Sequence, residues 1–265
     1  MVKKLFKHEI HAMWRSMAPI WVVLLGVSVL GRLIHLFEAD NVIYDIVSSS
    51  AVLFYVVSLI ACIVCPTVFA VTRFYRNLFS GEGYLSFTLP VTTGQHLWVK
   101  LTVAVATEVV TLIAAALSVI VVTFGDLTVE IGKAIWYLFK MSVKEWGAHF
   151  PLFAVEFVLL LLVALTMGIL LFYCCICIGQ QITKHRVLGA VGAYFGIYAI
   201  EQVIGTIFVI VASFMDWESL GIWVFEHPFA TIHIGLCSGI VLYAACGVLF
   251  FAVSHWLMSR RLNLE

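Results

Sequence analysis

The feature that most constrains this chain is a series of apolar runs long enough to cross a bilayer. A hydrocarbon core about 30 Å thick takes roughly 20 mostly apolar residues in helical form. Runs of that size fall at residues 17–37, 46–72, 99–124, 150–179, 187–215 and 228–258. Of the 265 residues 63% are hydrophobic and 11% charged, with a mean hydropathy of +1.09. That is more apolar surface than a soluble core can hide, so lipid must solvate most of the chain. The expectation is an all-α membrane protein, a single transmembrane domain over residues 1–265 with six spanning helices. Several runs exceed the minimum length, which allows tilt or kinks without fixing an angle.

Lysine plus arginine equals aspartate plus glutamate at 15 each, so net charge gives no reason to expect a nucleic-acid partner. The distribution of charge carries more information. Lys3, Lys4, Lys7, Arg15, Arg73, Arg76, Lys100, Lys184, Arg186, Arg260 and Arg261 fall on one side of the six-span map. Lys133, Lys140 and Lys144 fall on the other, with Glu38, Asp40, Asp45, Asp126, Glu130, Glu145, Asp216, Glu218 and Glu226. The positive-inside rule then predicts a multi-pass protein of the cell membrane with both termini cytoplasmic. The tryptophans lie near span ends or in outer segments, where an amphipathic ring favours the headgroup level. The first run follows a basic segment but has full span length and no clear small-residue cleavage site, so it is expected to remain in the mature protein. All seven cysteines fall within spans or at their cytoplasmic ends, and no disulfide framework is expected.

Three segments outside the runs have helical patterning. In residues 1–16, Val2, Phe6, Ile10 and Met13, continued by Met17, recur every three to four positions among lysines and histidines. This predicts an amphipathic interfacial helix, a basic topology anchor being the plainer account of the same residues. Residues 125–149 mix apolar side chains with too many charges to cross and predict an outer amphipathic helix. Residues 216–227 hold apolar residues among acids and predict a small outer re-entrant or surface element.

The cytoplasmic loop that joins the second and third runs, residues 73–98, is the most distinctive stretch. Gly81 and Gly83 bracket Glu82; Tyr84, Leu85, Phe87 and Leu89 follow; and Pro90-Val91-Thr92-Thr93 leads into a new helix. A connector that only needed to be soluble would not keep those apolar side chains together, and such a patch suggests a protein partner. Glu82, then Leu89-Pro90-Val91-Thr92, then Lys100 before the third span resembles the transmembrane permease subunits of the ABC-type-2 exporter family. The six spans, amphipathic N-terminal helix and outer element between the fifth and sixth spans are also similar to that family. The chain departs from the commoner pattern, having Ser86-Phe87 where Gly-Thr follows the acid and Thr93 where a basic residue follows the proline motif. The resemblance implies a short coupling helix in this loop, with Asn77, Glu82, Tyr84, Leu85, Phe87, Leu89 and Pro90 as partner-binding positions. It implies two partners, a separate ABC ATPase subunit and a second permease subunit. ATP and magnesium would be bound by the ATPase and no cofactor by this chain.

The remaining motifs divide between functional and packing roles. No phosphate-binding glycine-rich loop is present, so any ATP-driven step needs another chain. Glu108 and Glu201 lie inside predicted spans, where a charge costs about 2.5–3.5 kcal/mol at the bilayer centre. They are candidates for a substrate path, or hydrogen-bonded groups in a helix interface; Glu156, near the outer end of the fourth span, admits the same two accounts. Gly192 and Gly196 have the spacing that lets two helices approach closely, within one subunit or between two. Cys174, Cys175 and Cys177 point around a helix rather than at one centre, and no metal site is expected. No catalytic constellation is evident, so the chain is not expected to be an enzyme. The function implied is export of an amphipathic peptide, drug or lipid-like molecule by alternating access. An ion-coupled secondary transporter and a non-transporting scaffold or sensor are the competing classes.

Overall fold

The computed structural model describes residues 2–37, 41–79, 90–147, 149–182, 185–214 and 216–260. All regular secondary structure among them is helical: α1 Val2–Leu36, α2 Val42–Phe79, α3 Thr93–Val122, α4 Asp126–Trp146, α5 His149–Gly179, α6 Arg186–Ser213, α7 Trp217–Glu226 and α8 Pro228–Arg260. Six of these, α1, α2, α3, α5, α6 and α8, are long and apolar enough to cross a membrane. The protein is an all-α membrane protein, as the apolar runs predict. Helices satisfy their backbone groups internally, which is what a segment surrounded by hydrocarbon requires.

The segment expected to form an N-terminal interfacial helix is continuous with the first span. α1 has 35 residues, about 52 Å at 1.5 Å per residue, so it passes the hydrocarbon core by about 20 Å. Its buried face is Glu9, Met13, Met17, Trp21, Leu24, Ser28 and Gly31, a spacing of three and four that carries one stripe along the whole helix. Val2 and Ile10 stay exposed. Pro19 and Pro66 lie within α1 and α2. Pro228 opens α8 at a position where the missing N–H would have no helical acceptor.

The chain divides into two compact units. The first comprises residues 1–73 and 95–147, hence α1, most of α2 and α3, and α4. Its apolar core is Met17, Trp21, Leu24 and Cys62, with Ile20, Tyr55, Leu59, Cys65, Phe69 and Ala114 packed around them. A polar seam accompanies that core. The Trp21 indole donates to Thr111 Oγ1 at 3.1 Å, and the Tyr55 and Ser118 hydroxyls lie 3.2 Å apart. Gly125, before α4, has a φ of 130°, and a Cβ there would lie 2.6 Å from Arg32 Nη2.

The second unit comprises residues 74–94 and 148–265. Its main pairing is α5 with α8, and α6 also packs on α5. Phe74 at the end of α2 stacks on Tyr173 of α5 with centroids 3.9 Å apart, and Phe79 meets Phe74 edge-on at 5.7 Å. The α5–α6 corner is built on glycine: a Cβ on Gly179 would lie 2.4 Å from the Ala190 nitrogen. Residues 198–211 of α6, by contrast, are all exposed. The two charged segments between spans, residues 126–146 and 217–226, are helical as expected. α4 is largely exposed, and α7 is capped by Asp216, whose carboxylate accepts from the Glu218 and Ser219 N–H groups at 3.1 and 3.4 Å.

Candidate functional site

The strongest electrostatic feature of the first unit is Glu9, 8% exposed and the only carboxylate in the first 37 residues. It sits on the buried stripe of α1, one turn before Met13. Its two oxygens are used by different helices. Arg73 Nη2 of α2 donates to Oε2 at 3.0 Å, and Lys100 Nζ of α3 donates to Oε1 at 2.8 Å. Charge-assisted bonds of this length are about twice as strong as neutral ones, and both form where water is largely excluded. Breaking such a network by removing one member leaves a buried charge without compensation.

Arg73 and Lys100 bound the loop that the sequence reading singled out. Beyond Arg73, Phe74, Leu78 and Phe79 are buried and the first of them stacks on Tyr173. Before Lys100, the Thr93 hydroxyl lies 3.0 Å from that of Ser259 on α8, and a Cβ on Gly94 would meet the His255 ring at 3.2 Å. Both feet of the loop are thus fixed by packing and by ion pairs. Asn77 is on the last turns of α2, half-buried and engaged by other groups. Pro90 is exposed, three residues before α3 begins. Glu82, Tyr84, Leu85, Phe87 and Leu89 lie outside the described residues.

The two carboxylates named as substrate-path candidates are placed differently. Glu108 is buried at 7% exposure and accepts a hydrogen bond from the Thr67 hydroxyl at 2.5 Å. It is a bonded group in an α2–α3 interface. Glu201 is exposed on the bare part of α6. Gly192 and Gly196 are also on α6, and a Cβ on either would meet nothing within 4 Å, so no described helix of the second unit uses them for close approach. Cys174, Cys175 and Cys177 are buried and, like the other four cysteines, free thiols. No group of three or more His, Cys, Asp or Glu side chains among the described residues is arranged to hold a metal ion.

Two groupings escaped the sequence reading. Glu9 was masked by its basic neighbours, although its spacing of four and eight from Met13 and Met17 puts it on their face. The second grouping joins α5 to α8: Glu156 Oε2 lies 2.7 Å from His233 Nδ1, and His233 Nε2 lies 3.1 Å from His149 Nδ1. His149 and Glu156 are seven residues apart on one helix, but their convergence on His233 depends on a helix pairing that the sequence does not specify.

No family model matches the chain, and no curated protein and no solved structure matches it.

Proposed function

We propose that the chain is the transmembrane permease subunit of an ATP-driven exporter, resembling the ABC-type-2 family, with ATP hydrolysed by a separate subunit. The observation that carries this reading is the double anchorage of the 73–100 segment, whose Arg73 and Lys100 ends share the buried Glu9 carboxylate. A loop that receives a push from another protein transmits it only if its ends are stiffly joined to the spans. A buried three-membered ion network together with the stacked Phe74 and Tyr173 rings supports such stiffness. The apolar patch at Tyr84, Leu85, Phe87 and Leu89, with Glu82 beside it, supplies anchors and a charge for register, as a docking helix needs. ATP and magnesium are bound by the partner, a second permease subunit completes the membrane part, and alternating access moves an amphipathic substrate.

The decisive experiment is gentle solubilisation of the protein from its native membrane, identification of what accompanies it, and ATP hydrolysis measured with candidate substrates. The reading expects a nucleotide-binding subunit in the complex. It also expects Tyr84→Ala, Leu85→Ala or Phe87→Ala to weaken its association, with Glu82→Lys more damaging than Glu82→Gln. Transport driven by an ion gradient, with no ATPase in the complex and no effect of these variants, would replace it with the secondary-transporter reading.

A further inference from the structure

Four-residue spacing puts Lys3, Lys7, His11 and Arg15 in one row along α1, with Lys4 and His8 in a second row beside it. All six are exposed, on turns whose other side carries the buried Glu9–Met13–Met17 stripe. Like charges one turn apart repel, so such rows call for an anion. The described residues supply none. Glu9 is the only carboxylate in the first 37 residues, and both its oxygens are engaged by Arg73 and Lys100. Lys3, Lys4, Lys7 and Arg15 make no ion pair among the described residues.

The level of these rows relative to a bilayer follows from two groups of the same unit. Toward the far end of α1, the Arg32 guanidinium reaches the turn before α4, where a Cβ on Gly125 would lie 2.6 Å from it. Toward the near end stands the Glu9–Arg73–Lys100 network. Residues 9 and 32 are about 35 Å apart along a helix, so a hydrocarbon core of about 30 Å fits between them. The membrane surface on the N-terminal side therefore lies near Glu9. Lys3, Lys4, Lys7 and His8 fall within about 9 Å of that level along the axis, in the headgroup layer. Arg15 is on the hydrocarbon side, and its long side chain reaches back to the headgroups. Trp14, exposed and edge-on to Trp21 with centroids 5.0 Å apart, has the place of an interfacial ring.

We propose that the two basic rows of α1 bind the phosphate-bearing headgroups of anionic phospholipids in the leaflet on the N-terminal side, which the charge distribution predicts to be the cytoplasmic one. Cations at headgroup level feel the negative surface potential of such lipids, which fades within a Debye length, about 8 Å at physiological ionic strength. The ammonium and guanidinium groups donate to phosphate oxygens, while the exposed Ile10 and Trp14 beside them meet the acyl boundary. A soluble acidic partner reaches these rows only by displacing the lipid that already surrounds their level. Lipid held on this face sits on the outer side of the turns whose inner side carries Glu9, so its charge bears on the place where α1, α2 and α3 join.

The test is amine-reactive labelling of the full-length protein, read residue by residue by mass spectrometry, in nanodiscs of phosphatidylcholine and in nanodiscs of phosphatidylcholine mixed with phosphatidylglycerol. The expected result is labelling of Lys3, Lys4 and Lys7 slowed about threefold or more by phosphatidylglycerol and restored by high salt. A smaller change is expected at Lys133, Lys140 and Lys144, which share α4 with Asp126, Glu130 and Glu145. Equal labelling in the two lipids, or slowing of the same size at the α4 lysines, would overturn the proposal. Equal protection by dissolved inorganic phosphate in phosphatidylcholine discs would overturn it in favour of a free anion. Protection in phosphatidylcholine discs that depends on an accompanying protein would overturn it in favour of an acidic partner. No variant has to fold and no ATPase has to be present, so failure here leaves the exporter reading untouched.

Discussion

The Lys100 ammonium lies 2.8 Å from Glu9 Oε1, joining residues 91 positions apart across a site that is nearly closed to water. Glu9→Gln removes the anion and leaves the Arg73 and Lys100 cations in place. The expected loss is about 3–5 kcal/mol of folding stability, read as a lower unfolding temperature in detergent or nanodiscs. Adding Lys100→Met to Glu9→Gln should restore part of that loss, because one of the two cations that faced the lost anion is then gone. A double variant no more stable than the single one would show that the pair is not coupled.

Thr67 and Glu108 form a second buried contact with a different expectation. Thr67→Val deletes the donor to a carboxyl at 7% exposure, and the unsatisfied group should cost about 1–3 kcal/mol. Glu108→Gln keeps a carbonyl acceptor for Thr67 and should be tolerated. Thermal unfolding and, under the exporter reading, substrate transport measured on the same preparations distinguish the roles: a Glu108→Gln protein with parental stability and altered substrate preference would put Glu108 on the path.

Asp216 gives α7 a pH dependence. The Ser219 N–H, its hydroxyl and the Glu218 N–H hold this carboxyl below the usual aspartate range. A depressed folded-state value means that the cap stabilises α7 above the unfolded-state value, and that this is lost as pH falls through the folded one. Hydrogen exchange of the α7 amides should speed up at acid pH beyond the intrinsic pH effect, and Asp216→Ala should abolish the excess.

Gly125→Ala should be more damaging than Gly147→Ala. Both glycines have positive φ, 130° and 51°, and a side chain is strained at either. Only at Gly125 does the new Cβ also meet Arg32, whereas nothing lies within 4 Å at Gly147. The backbone strain alone is about 1–3 kcal/mol at such a position. Unfolding temperatures of the two variants, compared side by side, test the order.

The spans were legible because hydropathy alone determines them, and α4 and α7 because charge kept them out of the spans while their apolar periodicity remained. The union of the N-terminal amphipathic segment with the first span was not. Lys and His residues mark a change of surroundings near Met17, and Pro19 lacks a backbone donor there, yet the helix continues and the Glu9–Met13–Met17–Trp21 stripe runs straight through. The Glu9 network and the Glu156–His233–His149 array were hidden for another reason. Each joins helices far apart in the chain, and a sequence shows which face a residue shares with its own helix but not which foreign face it meets. Glu108 and Glu201 looked alike as acids within apolar runs; only their surroundings distinguish a bonded group from an exposed one.

The contrast between the two halves of α6 has a mechanical consequence. At its foot, Gly179 and Gly189 bring α5 and α6 so close that a Cβ on Gly189 would come within 3.1 Å of the Gly179 Cα. Residues 198–211 carry no comparable packing among the described residues of the second unit and amount to an arm about 21 Å long. An arm held at one end and uncovered along the rest could shift without disturbing the interior of its own unit, and Glu201 lies on that uncovered part.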